Sequence, residues 1–429
     1  MSRYLRGLVC AMLLGAVVCL PASAGLLEYV AKPDPEYTWS KAGEQMMGAT
    51  KVTDLAMTSQ VWQGIPWKHT IRIFSPPDIK YPDAALLLIT GGNPGKEDVA
   101  LGTVISQAIQ APIAILFNLP NQPLYGGKTE DALIAYTFTK YLETGDDTWP
   151  LLLPMAKSAV RAMDALQAFA KQEWKRELTT FVVTGASKRG WTTWLTGAVD
   201  QKRVKGIAPM VIDTLNMPAQ MPHQLETWGS YSQEISDYTE RGLQALLGAE
   251  EGKTLVKIVD PYSYRDRITM PKLIINGAND AYWVIDALNF YWDDLVGPKW
   301  VLYVPNSGHS LGDRTRLISS LSAFFRSVAA GESLPRMSWR YGTDDGKLTL
   351  TITADPKPTA ARVWVNKSDD MDFRDNRWEL APMSEQGEAF VGVIEKPADK
   401  NLAMFGEAEF SAGGRSFTLS TQVRVVPRG

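Results

Sequence analysis

The chain has 429 residues, 45% hydrophobic and 21% charged, with a formal net charge of −3. That is the profile of a globular protein with enough chain for two or three domains and a sizeable core. The mild acidity, without any basic run, argues against nucleic acid as a partner.

The first two dozen residues read as a targeting segment. Arg3 and Arg6 form a basic start, Gly7 to Leu20 are almost wholly apolar, and Pro21-Ala22-Ser23-Ala24 offers an A-x-A cleavage site before Gly25. The apolar run, about 14 residues, falls short of the roughly 20 that span a bilayer. Residues 1–24 are therefore expected to be a signal peptide, and the mature chain to be periplasmic or secreted with no transmembrane span. Val18 before Cys19 speaks against a lipoprotein signal. Both cysteines, Cys10 and Cys19, lie in this segment, so the mature chain has neither disulfides nor thiolate chemistry. Losing Arg3 and Arg6 takes the net charge from −3 to −5.

After a polar start, Val61 to Phe74 read as a hairpin, with bulky apolar residues alternating on both sides of Gly64. Short apolar runs follow at 85–90, 112–119, 179–184, 204–212, 272–275 and 300–304. Continuous runs of this kind suit strands buried on both faces of a parallel sheet. Helical spacing falls between them, at 103–111, 131–143, 158–173 and 315–329; in the third, Val160, Met163, Leu166 and Phe169 recur on one face. The alternation predicts a mixed, mostly parallel α/β sheet over residues 25–334. Residues 214–270, rich in Trp, Tyr and Gln, are expected to form a helical cap over the carboxyl ends of the strands. Beyond a boundary near Gly331–Pro335 the texture becomes short alternating strands, which predicts a C-terminal β-sandwich, immunoglobulin-like, over 335–429.

Thr184-Gly185-Ala186-Ser187-Lys188-Arg189-Gly190 nearly spells the G-x-S-x-G nucleophile elbow, but Arg189 stands where the second glycine belongs. The stretch joins an apolar run to a helical one, the strand-turn-helix context an elbow needs. A serine there can also be a plain helix N-cap. A serine hydroxyl becomes a nucleophile only when a histidine takes its proton and a carboxylate orients that histidine. Of three histidines, His69 falls in the hairpin and His223 in the insertion. His309 follows the last apolar run, and Asp280 follows the run before it. The order Ser187, Asp280, His309, at successive strand ends, is that of an α/β-hydrolase triad. Asp213, ending the 204–212 run, is the rival acid.

An oxyanion hole would draw one N–H from Lys188 and another from the Thr90–Gly95 loop, at Gly92 or Asn93. The Lys188 and Arg189 side chains could meet an anionic substrate group or be helix-surface charge. Arg189, Gln224, Trp228 and Tyr231 are expected around a substrate pocket beneath the insertion. Thr90 and Glu97 spoil a phosphate-loop reading of Gly91–Lys96. The mature chain has no cysteine, no H-E-x-x-H and no histidine pair, so neither metal nor other cofactor is expected.

Several stretches together resemble the PhoPQ-activated pathogenicity-related proteins, secreted or periplasmic α/β-hydrolase-like proteins of bacteria. They are Ile89–Asn93, Pro120–Leu124, Glu130–Tyr136, Leu153–Met155, Val160–Asp164, Gly185–Thr192, Pro209–Asp213 and Asn276–Asp280. The resemblance covers most of residues 30–330 and the β-rich tail. It implies that G-A-S-K-R-G is this family's form of the elbow, one similar also to the G-C-S-R-x-G elbow of glucuronoyl esterases. It further implies a serine-hydrolase fold linked to envelope defence or virulence, acting on a small-molecule or envelope-derived ester or amide. The other reading is a non-catalytic protein that keeps the fold and binds an envelope or host ligand.

Overall fold

In the computed structural model, residues 25–247 and 249–428 are described; the expected signal peptide, residues 1–24, lies outside them. A short helix α1 (Leu26–Ala31) precedes three antiparallel strands, β1 (Thr38–Met47), β2 (Thr50–Trp62) and β3 (Ile65–Ser75). Gln63 and Gly64 turn the expected hairpin with φ of 49° and 75°. Two successive positive φ values make the tight turn that matches strand twist.

The chain then alternates. β4 (Ala84–Ile89), α2 (Lys96–Ile109), β5 (Ile113–Leu116), α3 (Glu130–Thr144), α4 (Leu152–Phe169), β6 (Thr180–Ala186), α5 (Lys188–Val199) and β7 (Val204–Met210) lead to the insertion. Helix α2 starts earlier than its apolar spacing predicts, because Asp98 accepts a hydrogen bond from Gly95 N at 2.7 Å and caps the added turn. The insertion is helical: α6 (Met217–Trp228), α7 (Ser236–Thr239), α8 (Leu243–Leu246) and α9 (Glu250–Val259). β8 (Lys272–Gly277), β9 (Lys299–Val304) and α10 (Arg314–Ala330) complete the alternating part.

The strands line up as β1-β2-β3-β5-β4-β6-β7-β8-β9, parallel from β5 onward. The chain steps outward from β4 to β5 and then crosses back to β6. The order therefore reverses between β4 and β6, and their carboxyl ends flank the crevice where open α/β sheets bind ligands. α4 and α5 cover one face, with Leu166, Phe169, Trp194 and Leu195 fully buried; α2 and α10 cover the other, with Ile109 and Phe324. This is a mixed α/β sheet in α/β-hydrolase order.

The C-terminal strands are β10 (Arg336–Asp344), β11 (Lys347–Asp355), β12 (Ala360–Ser368), β13 (Glu379–Pro382), β14 (Ser384–Gln386), β15 (Ala389–Ile394), β16 (Asn401–Ala412), β17 (Arg415–Ser420) and β18 (Arg424–Val426). β10, β11, β15 and β14 make a four-stranded antiparallel sheet. The strands β17-β16-β12-β13 instead continue the central sheet, since Ser420 of β17 pairs with Val301 of β9. The two C-terminal layers pack closely: a Cβ on Gly406 would lie 2.5 Å from Ile352. The segment expected as a separate sandwich thus shares its sheet with the rest of the chain.

Candidate active site

Ser187 sits between β6 and α5 with φ 58° and ψ −126°, a conformation that costs a non-glycine residue energy and recurs at functional turns. Its N–H donates to Met210 O at 2.8 Å, and its carbonyl accepts the first bond of α5 from Trp191 N. Its hydroxyl caps no backbone N–H of the helix, so the plain N-cap reading fails.

The glycines show why the motif is written as it is. A Cβ on Gly185 would meet Arg189 O at 2.7 Å, and one on Gly190 would meet Met210 O at 2.7 Å. Close approach of α5 to β6 and β7 therefore requires glycine at 185 and 190, and leaves 189 free to carry a side chain. That side chain runs back under the β4–α2 loop. Its guanidinium donates to Leu119 O at 2.6 Å and grips both Glu130 carboxylate oxygens at 2.6 and 2.7 Å. It lies so close to Gly91 that a Cβ there would fall 1.5 Å from Nη2. Burial alone would raise the Glu130 carboxyl, but the bonds and charge of Arg189, with Gln122 and Lys188, outweigh it and hold the group down to about 2. Arg189→Gly, which restores the common motif, is expected to lower stability by roughly 1–3 kcal/mol because it strips a half-buried carboxylate of its partner. Denaturant melts of the two proteins check this.

His309 and Asp280 meet across two loops. With Nδ1 protonated, His309 donates to the Asp280 carboxylate at 2.9 and 3.0 Å, and its ring stacks on Tyr282 at 4.1 Å. Its Nε2 is buried without a hydrogen-bond partner among the described residues. The loops are zipped together by Asn279 N donating to Ser307 O at 2.9 Å and Ala278 N to Val304 O at 3.0 Å. Gly277 permits this, since a Cβ would lie 2.4 Å from Gly308 O. A second support comes from the chain after β12. Asn279 Nδ2 donates to Arg374 O and Asn376 O at 2.9 and 2.8 Å, Trp378 Nε1 donates to Ala278 O at 3.1 Å, and Asn306 exchanges two hydrogen bonds with the Trp378 backbone.

Asp213 does not touch His309. It accepts from Asn276 Nδ2 at 2.8 Å and from the Tyr291 hydroxyl. Burial pushes its carboxyl up to about 7; the Tyr291 hydrogen bond works against this, and the nearby Asp280 charge adds to it. The folded state thus holds a proton that the unfolded chain, at the ordinary 3.8, has released. The stability this group contributes is present below the unfolded value and is lost as pH rises toward 7. Asp213→Asn is expected to flatten the fall in Tm between about pH 4 and pH 7, measured calorimetrically.

Ser187 and His309 line one cavity, of about 100 Å³, together with Asp131, Lys188, Tyr238, Tyr282 and apolar side chains from α3, α5 and the insertion. Lys188 Nζ lies 2.6 Å from Asp131, which also accepts from the Tyr238 hydroxyl at 2.9 Å. Gly92 and Asn93 lie in the loop beneath which Arg189 is tucked, held by Asn118 through bonds of 3.0 and 2.7 Å. The four residues expected around a pocket stand outside the cavity. Arg189 is bound to Glu130, and Gln224 is spent on Tyr282 O and Ser232 N. Trp228 stacks under Arg374 at 3.9 Å, and Tyr231 does not line the cavity. His223 pairs with Asp286, and His69 is buried against Ser59. Sequence reasoning passed over Asp131, Tyr238 and Tyr282; Glu130-Asp131 stood in one of the shared stretches and was the available signal. Among the described residues no group of three or more His, Cys, Asp or Glu is placed to hold a metal ion, and no helix is long and apolar enough to cross a membrane.

The profile of the PhoPQ-activated pathogenicity-related proteins matches residues 26–374. The chain belongs to this family. A relative, the autocrine proliferation repressor protein A of Dictyostelium discoideum, is 33% identical over 462 residues, spanning 97% of this chain and 93% of that protein. Among solved structures, acetyl xylan esterase 1 of Thermoanaerobacterium sp. is 14% identical, covers 71% of this chain and 91% of its own, and has a TM-score of 0.49. An S-formylglutathione hydrolase of Agrobacterium tumefaciens is 13% identical, with coverages of 68% and 99% and a TM-score of 0.43. In this family member the strained turn at Ser187 and His309, which is paired with Asp280, line one cavity.

Proposed function

We propose that the protein is an exported serine hydrolase acting on a carboxylic ester or amide. The observation that carries this reading is the Asp280–His309 pair, whose free Nε2 belongs to the ring that shares a cavity with Ser187 at a strained turn. Ser187 Oγ bonds to the substrate carbonyl carbon while its proton passes to His309 Nε2. The bond to the leaving group then breaks, and His309 returns the proton to the departing alcohol or amine. Water repeats the sequence and frees the acid. Asp280 holds the Nδ1–H tautomer and balances the imidazolium. The N–H of Lys188 and one from Gly92 or Asn93 receive the oxyanion, with Arg189 fixing the loop that carries the second. The family's description, pathogenicity-related, supports a role in virulence, and the composition of residues 1–24 supports export.

A fluorophosphonate probe tests the chemistry. Labelling of the wild type, kept in Ser384→Ala and lost in Ser187→Ala, is the expected result. A folded wild type that takes no label would make the protein a binder that has kept the fold.

A further inference from the structure

The cavity has two ends of different character. At one stand Ser187, His309 and the Lys188–Asp131–Tyr238 cluster. Apart from Thr214 and Gln244 the other walls are apolar, among them Phe138 of α3, Trp191 of α5, Ile212 after β7, Met221 of α6, and Leu255 and Val256 of α9, each less than a tenth exposed. The charges at the polar end already satisfy each other, since Lys188 Nζ sits 2.6 Å from Asp131. No unpaired cation waits there for a carboxylate or phosphate, and a charged group pushed among the apolar walls would lose its hydration without return. The group that enters is neutral and mainly apolar, since most of the lining is aliphatic or aromatic.

Its size follows from the volume. A cavity of roughly 150 Å³ lined by apolar side chains holds benzene. The room here, about 100 Å³, suits a chain of about four carbons. Which half of the substrate it takes follows from the order of events. The leaving group must depart and water must enter while the acyl group stays bonded to Ser187 Oγ. The walled, apolar side suits the group that stays, and the path to solvent suits the one that goes.

We infer that this cavity is an acyl pocket selecting a neutral, short aliphatic acyl chain of about four carbons. The inference rests on the nucleophile assignment above. Each methylene buried among these walls raises reactivity about three- to fourfold, until the pocket is full and overpacking reverses the gain.

The test is the rate at which p-nitrophenyl methyl-, butyl- and octylphosphonates modify the full-length protein. In each reaction the Ser187 Oγ–P bond forms, p-nitrophenolate leaves with the P–O bond electrons, and the serine proton passes to His309. Modification by the butyl reagent at least tenfold faster than by the methyl or octyl reagent is expected. Leu255→Ala, which lengthens the pocket, is expected to move the optimum toward octyl. Ser187 modified at equal rates, or fastest by methyl or octyl, overturns the acyl pocket and leaves the nucleophile standing. So does a length preference confined to the alcohol side in a series of n-alkyl acetates, or an unmoved optimum in a Leu255→Ala protein that melts cooperatively. No modification of Ser187 by any reagent overturns the nucleophile assignment and this pocket with it.

Discussion

Replacing Asp280 by asparagine is expected to lower ester turnover by about four orders of magnitude, while Asp213→Asn is expected to change it less than about tenfold. The asymmetry comes from position. Asp280 receives the His309 Nδ1–H at 2.9 Å; an amide in its place can present an N–H to the ring and favour the tautomer with the proton on Nε2, where it cannot accept from serine. Asp213 spends its oxygens on Asn276 and Tyr291, which an asparagine side chain can serve in part. Burst and steady-state kinetics on one chromogenic ester separate the two variants. A larger loss at Asp213 would reverse the assignment of the orienting acid.

Trp378→Ala is expected to cost about 3–5 kcal/mol of stability and, in protein still fully folded, about a hundredfold in kcat. The indole is 1% exposed, packs edge-on to Phe405 at 4.9 Å, and ties Ala278 O to the C-terminal strands. Its removal leaves a cavity and frees the loops that carry Asp280 and His309. The geometry needed for proton transfer is lost with smaller displacements than the fold itself notices. Denaturant curves give the first figure, and kcat measured well below the midpoint gives the second. Full kcat in the folded variant would show that the catalytic loops hold their own shape.

The candidate site was legible in the sequence because its three members end apolar runs, and an apolar run marks where a buried strand stops. The central sheet was legible for the same reason. What escaped was everything set by partners distant along the chain. Arg189 looked like a flaw in the elbow or a substrate contact; its place is explained only by Glu130, Leu119 and Gly91, which no local pattern connects to it. The richness of the insertion in Trp, Tyr and Gln pointed to Gln224, Trp228 and Tyr231, yet the insertion lines the cavity with Tyr238 and mostly apolar residues of α6, α8 and α9. Alternation revealed most of the C-terminal strands but not that β17 would join β9, since a period of two says which face is buried and nothing of the neighbour.

The bonds that Asn279 and Asn306 make to residues 374–378 also tie the acid and base loops to a later part of the chain. Ser187, Asp280 and His309 all precede Trp378 in the chain, and domains generally fold as units. The three candidate residues are thus all present in a chain that still lacks the backbone groups to which Asn279 and Asn306 bond. A chain cut short before Trp378 would carry all three candidate residues without the backbone partners of Asn279 and Asn306.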